Sequence, residues 1–135
     1  VIELLLYLSK LSFDTENRLS EYQSEQVELV RSIHKYLLDN ISQRITIDET
    51  ARKYLINPTT LKSVFKAVYG TSIASHIKEH RMKMATHLLM NTSKSIKEIA
   101  KEVGYESQSK FSKAFKEYYD VLPTEYRIFH SNKLK

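Results

Sequence analysis

Two stretches of this sequence carry residue types that could do chemistry. In the run ESQSKFSKAFKEYY, Glu106 to Tyr119, helical spacing gathers Phe111, Phe115 and Tyr118 on one face. The other face carries Gln108, Ser109, Ser112, Lys113 and Lys116, with no acid between Ser107 and Lys116. A face of amide, hydroxyl and ammonium groups is either solvated, like the outside of any amphipathic helix, or it meets an anionic, hydrogen-bonding partner. The second stretch, His76-Ile77-Lys78-Glu79-His80, fits H-x-x-E-H, an inverted zincin pattern. Two histidines at i, i+4 share a helix face and could touch one zinc ion. The pattern is short, no third ligand is assignable from sequence, and His34, His87 and His130 are scattered. No catalytic residue, metal site or cofactor is therefore expected; of the two metal readings, incidental binding by the pair ranks above a zinc protease. No Gly-rich phosphate loop is present, so nucleotide hydrolysis has no support.

The 135 residues suffice for one ordinary domain or two very small ones. Only two Gly and two Pro argue for helices over many short strands. The absence of cysteine excludes disulfides, cysteine zinc fingers and thiol nucleophiles, and suits a reducing, cytoplasmic setting. No apolar run reaches the ~18 residues of a membrane span. The start, VIELLLYL, lacks a cationic flank and an initiator Met, so it reads as part of a longer chain and not as a signal peptide. Net charge is +5 and unevenly spread. Residues 1–25 hold two basic and five acidic groups (−3), and residues 26–135 hold 19 and 11 (+8). A basic body points to an anionic partner, with nucleic acid the commonest.

The elements that position the opening stretch follow from spacing and caps. Residues 2–12 are apolar almost all round a helix and need a partner to cover them. Residues 14–23 read as a linker. Ser24 is expected to cap a helix that places Val27, Val30, Ile33 (or His34), Leu37 and Ile41 on one stripe. Thr46 to Glu49 is a capping box opening a short helix with Ala51 and Leu55 inward. Asn57-Pro58 starts another, with Leu61, Val64, Phe65 and Val68 on its apolar face and Gly70 at its end. Ser72 opens a helix of about 18 residues, roughly 27 Å long, through Ile73, Ile77, Met84, Leu88 and Leu89, broken at residues 91–94. Ser95 to Glu98 is a second capping box, followed by Ile99, Ala100, Val103 and a turn at Gly104; Ser107 caps the opening stretch. Pro123 stands at N1 of a last helix with Tyr126 and Phe129, and residues 131–135 read as a frayed tail. The fold class is all-α, about seven helices preceded by the extra N-terminal one.

The chain also repeats itself. At an offset of 49, Thr46, Ile47, Glu49 and Ala51 match Ser95, Ile96, Glu98 and Ala100. Past the turn the offset is 50: Asn57, Leu61, Phe65, Lys66 and Tyr69 match Ser107, Phe111, Phe115, Lys116 and Tyr119. One residue is therefore extra near Gly104-Tyr105-Glu106. Each unit is a short helix, a turn and a second capped helix, the helix-turn-helix pattern whose second helix can enter a DNA major groove. Successive major grooves on one face of B-DNA lie ~34 Å apart, a span that a connecting helix of this length suits.

From Ile45 to Arg127, 83 of 135 residues, the sequence resembles the DNA-binding domain of AraC/XylS-type transcription regulators. The resemblance rests on ITIDETARKYLINPTTLKSVFKAVYGTSI, on RMKMATHLLMNTSKSIKEIAKEVGYESQSKFSKAFK and on LPTEYR. It implies two helix-turn-helix units joined by a central helix over residues 24–130, with recognition helices about 58–69 and 108–119 in adjacent major grooves. Residues 1–23 would then be the end of a sensor or dimerisation region plus linker. Carried over by position, the base-reading candidates are Thr59, Lys62 and Ser63 in the first unit and Gln108, Ser109, Ser112 and Lys113 in the second. Two positions depart from the family pattern. Asp120 stands where Gly is usual, and tolerates the left-handed conformation better than most residues; Leu122 replaces a small polar cap before Pro123.

The chemistry suits the assignment. Glutamine can pair with adenine N6/N7, lysine favours guanine O6/N7, and short hydroxyl side chains let a helix sit close to the bases. Lys66, Lys94, Lys116 and Arg127, with the helix starts at Asn57 and Ser107, are the phosphate candidates. The resemblance thus implies a bacterial, cytoplasmic, nucleoid-associated transcription regulator of activator type. Its partners would be double-stranded promoter DNA and RNA polymerase, with no membrane. A dimer could form through residues 1–13 or through a sensor domain not in this sequence. The alternative is a protein-interaction or dimerisation module with secondary DNA binding.

Overall fold

The computed structural model describes Leu6 and residues 22–133. The apolar segment 2–12, Leu6 apart, and the linker as far as residue 21 lie outside those residues, as does the dimer contact expected of residues 1–13. The described residues form seven helices and no strand. They are α1 (Ser24–Asp39), α2 (Ile47–Lys53), α3 (Pro58–Tyr69), α4 (Ile73–Asn91), α5 (Ile96–Glu102), α6 (Gln108–Tyr119) and α7 (Pro123–Lys133). The chain divides into two compact units, one of residues up to Leu37 with Ile45–His76, the other of Leu38–Arg44 with Ile77 onward.

In the first unit α1 buries Val27, Val30, Ile33 and Leu37, the predicted stripe without Ile41, which lies past the helix end. Ser24 is the first helical residue and not its cap: the Gln23 carbonyl accepts from the Gln26 and Val27 N–H groups. The Thr46 box forms in both directions, with Glu49 N–H donating to Thr46 Oγ1 at 3.0 Å and Thr46 N–H to Glu49 Oε2 at 3.2 Å. Thr50, fully buried, donates its hydroxyl to the Thr46 carbonyl. Ala51 faces inward as expected, but Leu55 does not. It sits in the turn at φ 54 and is 92% exposed. Helical spacing from Ala51 would bury it, but α2 stops at Lys53, and the left-handed turn swings the side chain out. Asn57 caps α3 through Oδ1, accepting from Thr59 N–H at 2.8 Å. Leu61, Val64 and Phe65 are buried, and Gly70 at φ 75 closes the helix.

In the second unit α4 is buried at Met82, Ala85, Leu88 and Leu89. The sequence stripe picked Ile77 and Met84, which are half-buried, and passed over Met82 and Ala85. The core continues through Ile99, Ala100 and Val103 of α5 and its end to Phe111, Ala114 and Phe115 of α6. Ser95 and Ser107 cap α5 and α6, accepting from Glu98 and Lys110 N–H groups at 3.1 Å each. Tyr118, expected in the core, is 43% exposed. Tyr119 takes the place beside Phe115, ring centroids 4.8 Å apart, and Tyr118 lies edge-on against its outer side. Asp120 adopts φ 66, the left-handed conformation its side chain tolerates. Glu125 Oε2 lies 3.4 Å from Leu122 N–H, so one half of a capping box survives the loss of a polar residue at 122. On the last helix Phe129 is 58% exposed, and His130 stacks on Tyr126 at 4.0 Å. α7 runs to Lys133, so residues 131–133, expected in a frayed tail, are helical.

Candidate nucleic-acid interface

The repeat read from the sequence is a repeat of geometry. Leu55 (φ 54) and Gly104 (φ 95) turn the chain left-handed at matching positions. The next N–H closes each turn on the alanine carbonyl five residues back, Ile56 to Ala51 at 3.0 Å and Tyr105 to Ala100 at 2.8 Å. The offset of 49 therefore holds through Tyr105, and the extra residue of the second unit is Glu106. Its carboxylate is engaged by Arg44 at 3.2 Å and by Lys110 at 2.5 Å. The Lys110 hydrogen bond, aided by the two positive charges, holds the Glu106 carboxyl below its ordinary range.

Gly104 is enclosed as well as left-handed. A Cβ there would meet the Ile41 carbonyl oxygen at 2.4 Å and the Arg81 guanidinium at 3.0 Å. Arg81 reaches this point from α4, donates from Nη2 to the Gln43 carbonyl at 3.3 Å and lies over the Tyr105 ring. Burial lowers the Arg81 pKa and raises that of Tyr105. The Ile41 carbonyl and the Arg81 guanidinium thus fill the space that a side chain at 104 would need.

Thr59, Lys62 and Ser63 are exposed on α3, as are Gln108, Ser109 and Lys113 on α6; Ser112 is half-exposed. Lys66 and Lys116 are exposed in the last turns of these two helices. Asn57 and Ser107 are committed as caps. Lys94 is paired with Glu102 at 2.6 Å. Arg127 donates from Nε to the Leu89 carbonyl at 3.1 Å and from Nη2 to that of Thr92 at 3.3 Å, holding the C-terminal end of α4. These last two side chains thus have protein partners that their sequence positions did not announce.

A cleft of ≈ 720 Å³ lies in the crease of the second unit, lined among others by Lys97, Lys101, Tyr105, Gln108 and Ser109. Its counterpart in the first unit, ≈ 540 Å³, is lined by Asp48, Ala51, Arg52, Leu55, Ile56 and Pro58. Position by position, Lys97 replaces Asp48, Lys101 replaces Arg52, and Gln108 replaces Pro58. Lys97 and Lys101 were not among the sequence candidates; their i, i+4 spacing just ahead of α6 is the signal that could have found them. His34, read from sequence as scattered, places Nε2 2.8 Å from Nε2 of His76 within the first unit.

A helix-turn-helix domain family matches residues 50–128. The lactose operon transcription activator of Staphylococcus xylosus is 29% identical over 130 residues, 93% of this chain and 47% of that protein. The virulence regulon transcriptional activator VirF of Yersinia enterocolitica is 33% identical over 96 residues, 71% of this chain and 35% of its own length. The chain thus spans about half or less of these relatives. Among solved structures, the C-terminal domain of AraT, a response regulator from Geobacillus stearothermophilus, superposes with a TM-score of 0.72 at 34% identity, covering 75% of this chain and 84% of that one. The DNA-binding domain of AdpA, in complex with a target DNA, shares the fold, with a TM-score of 0.72 at 17% identity over 77% of this chain and 94% of that one.

Proposed function

Because this chain belongs to the AraC-type helix-turn-helix family, we propose that it reads double-stranded promoter DNA with α3 and α6 in adjacent major grooves. The observation that carries this reading is the repeated capped turn. It leaves the outer faces of two helices exposed, with no acid anywhere in α3 and none in α6 before Glu117. Thr59, Lys62 and Ser63 then read one half-site, and Gln108, Ser109, Ser112 and Lys113 the other. Because the scaffold repeats and these residues do not, the site is asymmetric. Asn57, Ser107, Lys66 and Lys116 hold phosphates, with Lys97 and Lys101 added at the crease of the second unit. Lys94 joins them by exchanging Glu102 for a phosphate, and Arg127 by its remaining donors. No catalytic role is assigned.

The full-length protein would act as a bacterial transcription activator in the cytoplasm, contacting RNA polymerase and dimerising through residues 1–13 or a further domain. Among the described residues no helix is long and apolar enough to cross a membrane. The test is a selection of bound duplexes from a genomic promoter library at ~150 mM salt, where nonspecific binding is weak. Retention of no duplex above random DNA would sink the proposal. Gln108→Ala should relax base choice at one position by ~1–3 kcal/mol, whereas Lys116→Ala should weaken all sequences alike and flatten the salt slope by ~1. Equal, sequence-blind losses from both would reject these two roles.

A further inference from the structure

Within the first unit, His34 of α1 and His76 in the first turns of α4 bring their Nε2 atoms to 2.8 Å. These residues are 42 positions apart, so the fold and not the sequence makes the pair. The rings are held on several sides. Tyr69 stacks on His34 at 4.2 Å, and Phe65 lies edge-on to His76 at 5.5 Å and tilted to His34 at 6.1 Å. Both histidines are half-buried, which limits the freedom the rings would lose on binding a ligand.

Two imidazole nitrogens this close share one proton, since one must donate and the other accept. An ion can take that proton's place. Imidazole nitrogens bind divalent transition ions at ~2.0–2.1 Å, so two on one ion lie ~2.9 Å apart at a right angle and ~3.3 Å apart in a tetrahedron. The observed 2.8 Å is within about half an ångström of both. We propose that His34 and His76 form a two-imidazole site for a borderline divalent transition ion, zinc, nickel or copper, each residue binding through Nε2. Water completes the coordination sphere. The site ties α1 to the start of α4 inside the first unit, behind the exposed face of α3, and needs no DNA to form. Magnesium and calcium, which prefer oxygen ligands, are poor occupants.

The test is calorimetric titration of the 135-residue chain with zinc and separately with nickel, alongside thermal melting. One ion per chain should bind, and the melting temperature should rise with zinc but not with magnesium. His34→Ala and His76→Ala should each weaken zinc binding at least ~10-fold, roughly 1.4 kcal/mol, and abolish the melting shift. His87→Ala, exposed and three turns farther along α4, should change neither. Should an alanine variant fail to fold, His34→Gln and His76→Gln keep a polar ring-sized contact without the imidazole, and circular dichroism confirms the helices before titration. Absence of binding at 100-fold zinc excess, or equal binding by both His34 and His76 variants, overturns the proposal. Neither result bears on DNA selection, so this site and the DNA-reading function fail separately.

Discussion

The two helix-turn-helix units share a scaffold and differ at the turn. In the first, Leu55 occupies the left-handed position with its side chain in solvent. In the second, Gly104 occupies it with the Ile41 carbonyl and the Arg81 guanidinium pressed against its Cα. Left-handed backbone is therefore not sufficient to require glycine: a leucine is accepted where nothing crowds it. What requires glycine at 104 is close approach by a second group: the Ile41 backbone carbonyl, with the half-buried Arg81 guanidinium of α4 behind it. The first turn is open, apolar and one residue shorter; the second is closed, flanked by Lys97 and Lys101, and carries Glu106 as its extra residue.

The largest expected effect breaks the second turn. Gly104→Ala must place a Cβ at 2.4 Å from a backbone oxygen while holding φ 95. Together the overlap and the backbone strain should cost ~3 kcal/mol or more in chemical denaturation; a loss under ~1 kcal/mol would mean that the backbone at Ile41 gives way easily. Next come the caps of the two exposed helices. Asn57→Ala and Ser107→Ala should each cost ~1 kcal/mol, and a large inequality would show that one turn holds its helix without the cap. Smaller, and of opposite sign to the first, is Leu55→Gly. Relief of ~1–2 kcal/mol of left-handed strain against ~0.5–1 kcal/mol of added chain entropy leaves a change near zero or slightly stabilising, as almost no buried area is lost. A clear destabilisation would show that the Leu55 side chain is in use.

The smallest stability effect sharpens the charge difference. Glu106→Gln removes the carboxylate that engages Arg44 and Lys110. Exposed pairs of this kind add little to folding, but two cations are released toward the partner, so the slope of log K against log salt should steepen by up to ~2. An unchanged slope would place both cations away from the DNA. The carboxyl is held below its ordinary range by Lys110 and Arg44, so its contribution is present above the unfolded carboxylate pKa of ~4.3. It fades as pH falls through the lower folded value, and Glu106→Gln should remove that part of the acid dependence.

Much of this was legible because caps and glycines are local. Thr46, Asn57, Ser95, Ser107, Gly70 and Asp120 each occupy the boundary position their chemistry suggests. The failures share a cause. Leu55 continues a helical spacing that the chain interrupts after Lys53, and Tyr118 yields its expected place to Tyr119. Met82 and Ala85 were passed over because α4 has no single apolar stripe. The long-range meetings, Glu106 with Arg44, Arg127 with the α4 carbonyls, and His34 with His76, depend on how helices distant in sequence meet, which no window of sequence contains. The repeat was the exception, since self-comparison carries information across fifty residues.

Pro58 and Gln108 stand at matching first positions of α3 and α6. Proline brings no amide hydrogen there, and Asn57 already occupies the amides of Thr59 and Thr60. Gln108 keeps its amide hydrogen, and Ser107 caps at Lys110, the third position. At the phosphate contacts proposed above, the first helix would therefore grip with side chains, whereas the second could also use its main chain. Side-chain replacement can weaken such a main-chain grip only indirectly, so the second head should tolerate mutational drift in its anchoring residues better than the first.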